Sequence, residues 1–434
     1  MRRASILALC LLTWAAAAAP GTAAAPAAAT ASDPIGDLIN KARPAPPTKS
    51  NVPLVIGARI HEQAARTRFI VELSDPVAIR VFTLANPNRV VIDMPTVVWR
   101  LQNAQQPSGT GAVRSYRYGL FRPGNSRFVI DLASPVTVGA PTIVPPQNGY
   151  GYRIVLDLVP VAQTKFEDRA GWPADLRARE LAAQRLASVP APQTQVDRRK
   201  DKRKIVVIDA GHGGIDSGTR AANGLLEKDV VLDEAIHLRD ALASRGYIVH
   251  LTRDTDTYIP LRERVNIGRG YHADLFISIH ADSNPNTAVN GASIYTLSES
   301  GSDREAAALA RKENQSDIIA GVDLAGQDDS VSHILIDLAQ RDTMNRSSRF
   351  AEKAVASLGN ATDILARQPH RSAGFVVLKA PDVPAVLIEL GYLSNPADAA
   401  QMATQGWRSR VANAIANAVD RHFAATVPAQ VLSQ

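Results

Sequence analysis

One cysteine, Cys10, occurs among 434 residues. A lone thiol excludes internal disulfides, cysteine-ligated metal clusters and disulfide-stapled scaffolds. Long apolar runs are missing too. The stretch from Ile6 to Ala19, broken by Thr13, falls short of the roughly 20 residues a membrane-spanning helix requires, and no later stretch approaches it. Charge of one sign is also scarce: 48 Lys and Arg against 42 Asp and Glu leave +6. That balance suits an anionic partner but lacks the dense basic footprint of a nucleic-acid binder. What is present is ordinary globular usage, 45% hydrophobic and 21% charged, which excludes wholesale disorder or a collagen-like fibre. The length is about three times that of a typical domain, so more than one domain is expected.

Arg2 and Arg3, the apolar stretch and an Ala/Pro/Gly/Thr tract with A-x-A-like sites read as a secretory signal peptide over residues 1–25. The mature chain is then exported, free of cysteine and without a membrane span. The choice between general and twin-arginine export stays open, as does the cleavage point. Residues 26–52 are Ala/Pro-rich and read as flexible. Over 53–160, short β-branched runs are punctuated by Pro76, Pro95, Pro135 and Pro160, the signature of an all-β domain. One template recurs there: Arg68-Phe-Ile-Val-Glu72, Arg89-Val-Val-Ile-Asp93, Arg127-Phe-Val-Ile-Asp131 and Arg153-Ile-Val-Leu-Asp157. The pattern predicts cross-strand charge pairs on a solvated sheet face. With no metal-ligand or nucleophile constellation in it, this block reads as a binding or scaffold domain. Residues 161–203 have linker composition, with a helix expected over 173–188 and a basic run, Asp197 to Lys204.

From about 204 to 425 strands and helices alternate, predicting an α/β domain with a mixed, mostly parallel sheet flanked by helices, followed by a tail over 426–434. Ile205-Val-Val-Ile208 is wholly apolar, as in a strand covered on both faces. Val231, Ala235, Leu238 and Leu242 form a helical stripe that Gly246 can end. Further strands are expected over Tyr247 to Thr252, Leu275 to Ile279, Ile294 to Leu297, Phe375 to Leu378 and Ala385 to Leu390. Helices are expected over Arg262 to Tyr271 and Trp407 to Phe423.

Four residues carry the candidate chemistry. His212 follows the first of these strands and His280 ends the strand Leu275 to His280. Ligands collect beyond the carboxyl ends of strands in open α/β sheets, so two imidazoles there can share a site. Glu227 lies on the helical stripe that faces the core, where a carboxylate is costly unless paired or metal-bound; a charge complementing the helix N-terminus is the alternative. Two His and one Glu form a common catalytic zinc shell. Glu389, in the apolar strand Ala385 to Leu390, suits a general acid or base. Asp209, Asp216 and Asp282 read as turn residues or groups that orient the imidazoles. His237, His250, His272, His333, His370 and His422 lack matching context and read as surface or core histidines.

The segments Ile205 to Gly218 (IVVIDAGHGGIDSG), Leu225 to Asp233, Leu251 to Asp256, Leu261 to Arg269, Ala273 to Asp282 and Val386 to Asn395, in this order, resemble the zinc-dependent N-acetylmuramoyl-L-alanine amidases of the cell-division type. The strand-rich block resembles, more loosely, the AMIN domain that precedes such catalytic domains and directs them to septal peptidoglycan. The resemblance implies Zn2+ held by His212, Glu227 and His280, with Glu389 as the catalytic glutamate. It implies peptidoglycan as substrate, cleaved at the amide between the lactyl group and L-alanine, and a monomeric enzyme acting in the periplasm at the division septum. Arg253 and Asn266 fall in the matching motifs, as cleft-shaping or structural residues. Two rival readings are a metal-free wall-binding scaffold and a zinc carboxypeptidase acting on stem peptides.

An insertion over about 298–345 resembles the autoinhibitory segment of these amidases, which a LytM-domain activator displaces. Ser302-Asp-Arg-Glu305 fits a capping box, with a helix continuing through Ala306 to Asn314. A second helix is expected from Ser330, with Val331, Ile334, Leu335 and Leu338 as its stripe. A carboxylate on the first helix could fill the zinc's open position, Glu313 ahead of Glu305.

Overall fold

A computed structural model describes residues 52–101, 109–122, 124–147, 149–178, 202–322 and 335–424, without the side chains of 335–340. The signal peptide, the Ala/Pro-rich segment before Val52, most of the basic run, His333, the start of the helix expected from Ser330 and the C-terminal tail lie outside the described residues. No helix among the described residues is long and apolar enough to cross a membrane.

The strand-rich block is a sandwich of two sheets. The first runs β5 (Val98–Trp99), β1 (Leu54–Gln63), β2 (Arg66–Leu73), β10 (Tyr152–Pro160), β8 (Val136–Val138), with β9 (Thr142–Val144) also on β10. The second runs β3 (Arg80–Leu84), β4 (Arg89–Pro95), β7 (Asn125–Leu132), β6 (Val113–Arg122). Side chains alternate across each strand, so Phe69, Val71 and Leu73 of β2 meet Val90, Ile92, Phe128 and Ile130 of the opposing sheet in one core. The helix α1 (Gln163–Glu167) adds Phe166 to that core, and Trp172 is also buried. The start of the expected linker is therefore part of the sandwich, because two large aromatics there are buried against its sheets. The helix expected over 173–188 is described only over 174–178.

The Arg-to-acid template does produce cross-strand pairs: Arg68 faces Asp157 and Arg127 faces Asp93 in register. Arg68 and Asp157 are partly exposed, as on a solvated face. Arg127 and Asp93 are not; their side chains keep 1% and 9% exposure. The outer face of the second sheet is covered, which corrects the solvated reading there.

The α/β domain is built on a sheet in the order β12 (Ile248–Leu251), β11 (Ile205–Ala210), β13 (Leu275–His280), β16 (Ala385–Glu389), β14 (Ser293–Leu297), β15 (His370–Ala373). All neighbours are parallel except β14 against β16. One face is covered by α2 (Glu227–Ala243), α6 (Leu335–Leu358), α7 (Pro396–Met402) and α8 (Gln405–Ala424). The other is covered by α3 (Leu261–Gly270), α4 (Arg304–Glu313) and the turn Val376–Leu378. Hence β11 needs apolar residues on both sides: Val206 and Ile208 face the first layer, Val207 the second.

Two local expectations are corrected. Phe375 to Leu378 is not a strand. Val376–Leu378 forms a 3-10 turn whose side chains fill the core, while the polar segment His370–Ala373 pairs as the edge strand. Burial there comes from packing, not from sheet pairing. The cap of α4 is Asp303, one residue after Ser302, and its carboxylate accepts from the Ala306 amide. α4 is then followed by a short helix α5 (Ser316–Ile319).

The stripe Val231, Ala235, Leu238 and Leu242 of α2 is buried against the sheet. Leu238→Ala, at a fully buried position, is expected to cost about 2–5 kcal/mol. Urea unfolding should show a lower midpoint at unchanged slope.

Candidate active site

The carboxyl ends of β11, β13 and β16 meet at one point. His280 and Glu389 are direct partners across the parallel pair β13 and β16. His212 lies two residues beyond β11, in the left-handed backbone region at φ 56°, a conformation that costs a non-glycine residue on the order of 1–3 kcal/mol. Arg264 holds it there, donating to the His212 carbonyl at 2.6 Å while bound to Asp209 at 2.9 Å. Glu227 is the first residue of α2. The helix start thus carries its carboxylate into the site, where the Thr219 and Ala281 amides donate to it, each at 2.9 Å. The helix-terminus and site placements of Glu227 coincide.

Ligand atoms of His212, Glu227 and His280 lie within 4.8 Å of one another, and all three residues are buried. His212 Nε2 is 3.1 Å and His280 Nδ1 3.3 Å from Glu227 Oε1. Neither nitrogen is aligned for a hydrogen bond, and both are shut off from solvent. Two orphaned imidazole nitrogens aimed at one carboxylate oxygen are a donor set that fits a divalent cation such as zinc. The other ring nitrogen of His212 is fixed by Asp216 at 2.9 Å. Gly218 closes the floor: it sits at φ +61°, and a Cβ there would lie 2.7 Å from both Glu227 Oε2 and the His212 ring.

Of the two candidate carboxylates on the insertion, Glu313 reaches this point and Glu305 does not. Glu313 Oε2 is 3.4 Å from His212 Nε2 and 3.2 Å from His280 Nδ1. Glu305 is on the solvent side, paired with Arg371 at 3.0 Å. Three neighbours of Glu313 that sequence reasoning missed hold the segment down. Lys312 binds Asp282, Ser316 donates to Asp216, and Asp317 accepts from the Tyr258 hydroxyl at 2.5 Å and the Leu261 amide at 3.0 Å. Their signal was weak, since polar residues on a charged insertion look like a solvated surface.

The charges explain one another. Burial opposes a charged His212, but Glu227, Asp216 and Glu313 outweigh it and hold its pKa well above the usual histidine value. Burial likewise opposes a charged His280, yet Glu313 and Glu227 push it up to about 10. Burial would raise Asp216, and the His212 cation overrides it, leaving about 2. For Glu389, burial is the largest cause and raises its pKa far above the carboxylate range, with Asp282, Glu227 and Glu313 adding to the effect against the His280 cation. Its Oε2 accepts from the Asp282 amide at 2.9 Å, and its Oε1 is buried without a partner. Positive charge on the two imidazole nitrogens is what this cluster favours.

Asp216 alone of the three flanking aspartates bonds an imidazole. Asp209 ties Thr252, Ser278 and Arg264 together, and Asp282 receives Thr219 and Lys312. Arg253 is structural, donating to the carbonyls of Ala210, Gly211 and Lys228. Asn266 is half-buried on α3. His250 stacks on Tyr271, His370 meets Thr296, and His422 is buried beside Phe350, all apart from the site.

Comparison with known proteins agrees in order and extent. The N-acetylmuramoyl-L-alanine amidase family matches residues 206–421, and the AMIN domain matches residues 57–143. N-acetylmuramoyl-L-alanine amidase AmiC of Escherichia coli O6:H1 is 33% identical over 377 residues, covering 85% of this chain and 89% of the relative. AmiC of Neisseria meningitidis serogroup B is 33% identical over 389 residues, 86% of this chain and 91% of the relative. AmiA of Escherichia coli K12 is 38% identical over 227 residues, 52% of this chain and 78% of the relative. A family match over the α/β domain, an AMIN match over the sandwich and relatives aligned along most of the chain place this protein in the N-acetylmuramoyl-L-alanine amidase family, with an AMIN domain ahead of its catalytic domain.

Proposed function

We propose that the protein hydrolyses the amide between the lactyl group of N-acetylmuramic acid and the L-alanine of the stem peptide in peptidoglycan, as a zinc enzyme closed at rest by its own helix. Family membership supports the reaction. The observation that carries the rest is the convergence of His212 Nε2, His280 Nδ1 and Glu227 on one buried point, with the Glu313 carboxylate against the two nitrogens.

His212, Glu227 and His280 would hold the zinc. When bound, the ion supplies Lewis-acid polarisation of the scissile carbonyl and of an attacking water. The chain's own residues do the remaining work. Asp216 fixes the His212 ring through its other nitrogen, so the ring keeps one orientation. Glu389, anchored through Oε2, has Oε1 free to take the proton of the attacking water and pass it to the leaving amine. Withdrawal of Glu313 removes one of the negative charges that raise the pKa of Glu389. Displacing the helix would therefore both open the site and favour the basic form of Glu389.

The setting follows from the same reading. The segment Ile6 to Ala19 and the AMIN domain support export to the periplasm and recruitment to wall material at the division septum, for daughter-cell separation. A LytM-domain activator would displace the helix, and the enzyme would act as a monomer.

Glu313→Ala should raise basal release from purified peptidoglycan by roughly tenfold or more, by shifting the closed-to-open balance. In that variant EDTA should abolish turnover and added zinc restore it. The products should be intact peptides beginning with L-alanine and peptide-free glycan, whereas release of single terminal amino acids would mean a carboxypeptidase. Adding Glu389→Ala should cut turnover about 10²–10⁴-fold, the range for losing a general acid–base residue, while elemental analysis still finds one zinc per chain. Full turnover without Glu389, or zinc loss on its replacement, would contradict the assigned role.

A further inference from the structure

The covered outer face of the sandwich's second sheet has a specific occupant. After Ser316 and Asp317 bind the catalytic domain, the chain runs onto the AMIN domain. Four consecutive carbonyls accept hydrogen bonds there. Arg89 Nη1 donates to Ile318 O at 2.5 Å and Arg117 Nε to Ile319 O at 2.6 Å. Arg127 Nη1 donates to Ala320 O and Gly321 O, both at 3.1 Å, and the Trp172 ring nitrogen donates to Gly321 O at 3.3 Å. The last carbonyls of a helical turn are short of partners within the helix; Ile318 O also accepts from the Gly321 amide at 3.0 Å, and all four are met by donors on another domain.

The arginines are preset for this task. Asp93 grips Arg127 through two bonds of 2.6 and 2.8 Å, and Asp131 grips Arg117 at 2.5 and 3.0 Å. The Arg127 guanidinium lies 3.5 Å from the centre of the Phe121 ring. Apolar contacts complete the surface: Ala320 and Val322 are buried in a cluster with Val91, Phe121, Val129 and Trp172, to which the catalytic domain adds Ile215 and Tyr258. Gly321 sits at φ +72°, and a Cβ on it would meet Val129 at 3.1 Å and Val91 at 3.3 Å. Only glycine lets the backbone lie this close to the sheet.

We propose that this face of the AMIN domain is the docking surface for the segment Ile318–Val322 and holds the autoinhibitory helix shut. The AMIN domain is thus part of the lock and not only a wall-binding module. Glu313 cannot leave the metal centre freely while the segment that follows it is fastened to β4, β6 and β7, and any event that frees this face from the segment promotes opening. The inference rests on the lid reading of Glu313.

Full-length Arg89→Ala/Arg117→Ala tests the AMIN side and Gly321→Val the lid side, with Glu313→Ala as reference. The two sides lie in different domains, so a folding failure in one leaves the other informative, and thermal unfolding checks each. Both should raise activator-free peptidoglycan hydrolysis by roughly tenfold, the shift expected from losing charge-assisted hydrogen bonds. Both should also speed hydrogen–deuterium exchange in the peptide covering 313–322. Wild-type hydrolysis and exchange in these variants beside an activated Glu313→Ala would overturn the docking role and leave the lid standing. A Glu313→Ala protein with no gain in hydrolysis would overturn both.

Discussion

The structure depends on a concentration of buried negative charge that must be met by a cation. Asp216, Glu227, Asp282, Glu313 and Glu389 are all nearly or fully removed from water at the ends of three neighbouring strands. So many carboxylates in a poorly solvated pocket are untenable without compensation. The two imidazoles face that charge, and it raises the pKa of both against the opposing effect of burial. A divalent ion on the same nitrogens would bring the same +2 as two imidazolium protons, concentrated at one point, since ligating nitrogens are deprotonated. Burial raises the pKa of Glu389 despite the nearby His280, the kind of perturbation found at proton-transfer residues.

The same economy governs the insertion. Its helix brings a carboxylate to the cation-seeking nitrogens and a lysine to Asp282, so it is complementary to the site in both signs. Complementarity of that kind closes a site specifically, because a shifted helix would leave buried charges unpaired. The fastening continues across the domain boundary through arginine-to-carbonyl bonds and a small apolar cluster, so catalytic loop, insertion and AMIN sheet share one core. The two sheets of the sandwich accordingly differ. Partly exposed Arg68 and Asp157 lie on the first, and buried Arg127 and Asp93 lie on the second beneath the segment that includes Ala320 and Gly321.

Much of the site was legible in sequence because strand physics made its polar residues conspicuous. A run such as Leu-Phe-Ile-Ser-Ile is buried on both faces, so the histidine that ends it stands out, as does Glu389 at the end of Ala-Val-Leu-Ile. Glu227 was visible as a carboxylate on an apolar stripe. The insertion's partners were not visible. Lys312, Ser316 and Asp317 are polar residues on a polar segment, and their burial depends on surfaces far away in the chain. The edge strand was missed for the converse reason: His370–Ala373 pairs through its backbone and carries no apolar pattern, while the apolar Val376–Leu378 fills the core as a turn.

Sequence by itself determined which side chains must find partners, since an ionisable group inside an apolar run is costly wherever the run packs. It also determined the division into an all-β and an α/β domain, because hydrophobic periodicity is local. Only the tertiary structure decided which of Glu305 and Glu313 faces the imidazoles and which face of the AMIN sheet is covered. Helix phase and domain docking set those outcomes, and both are properties of surfaces assembled from residues far apart in the chain.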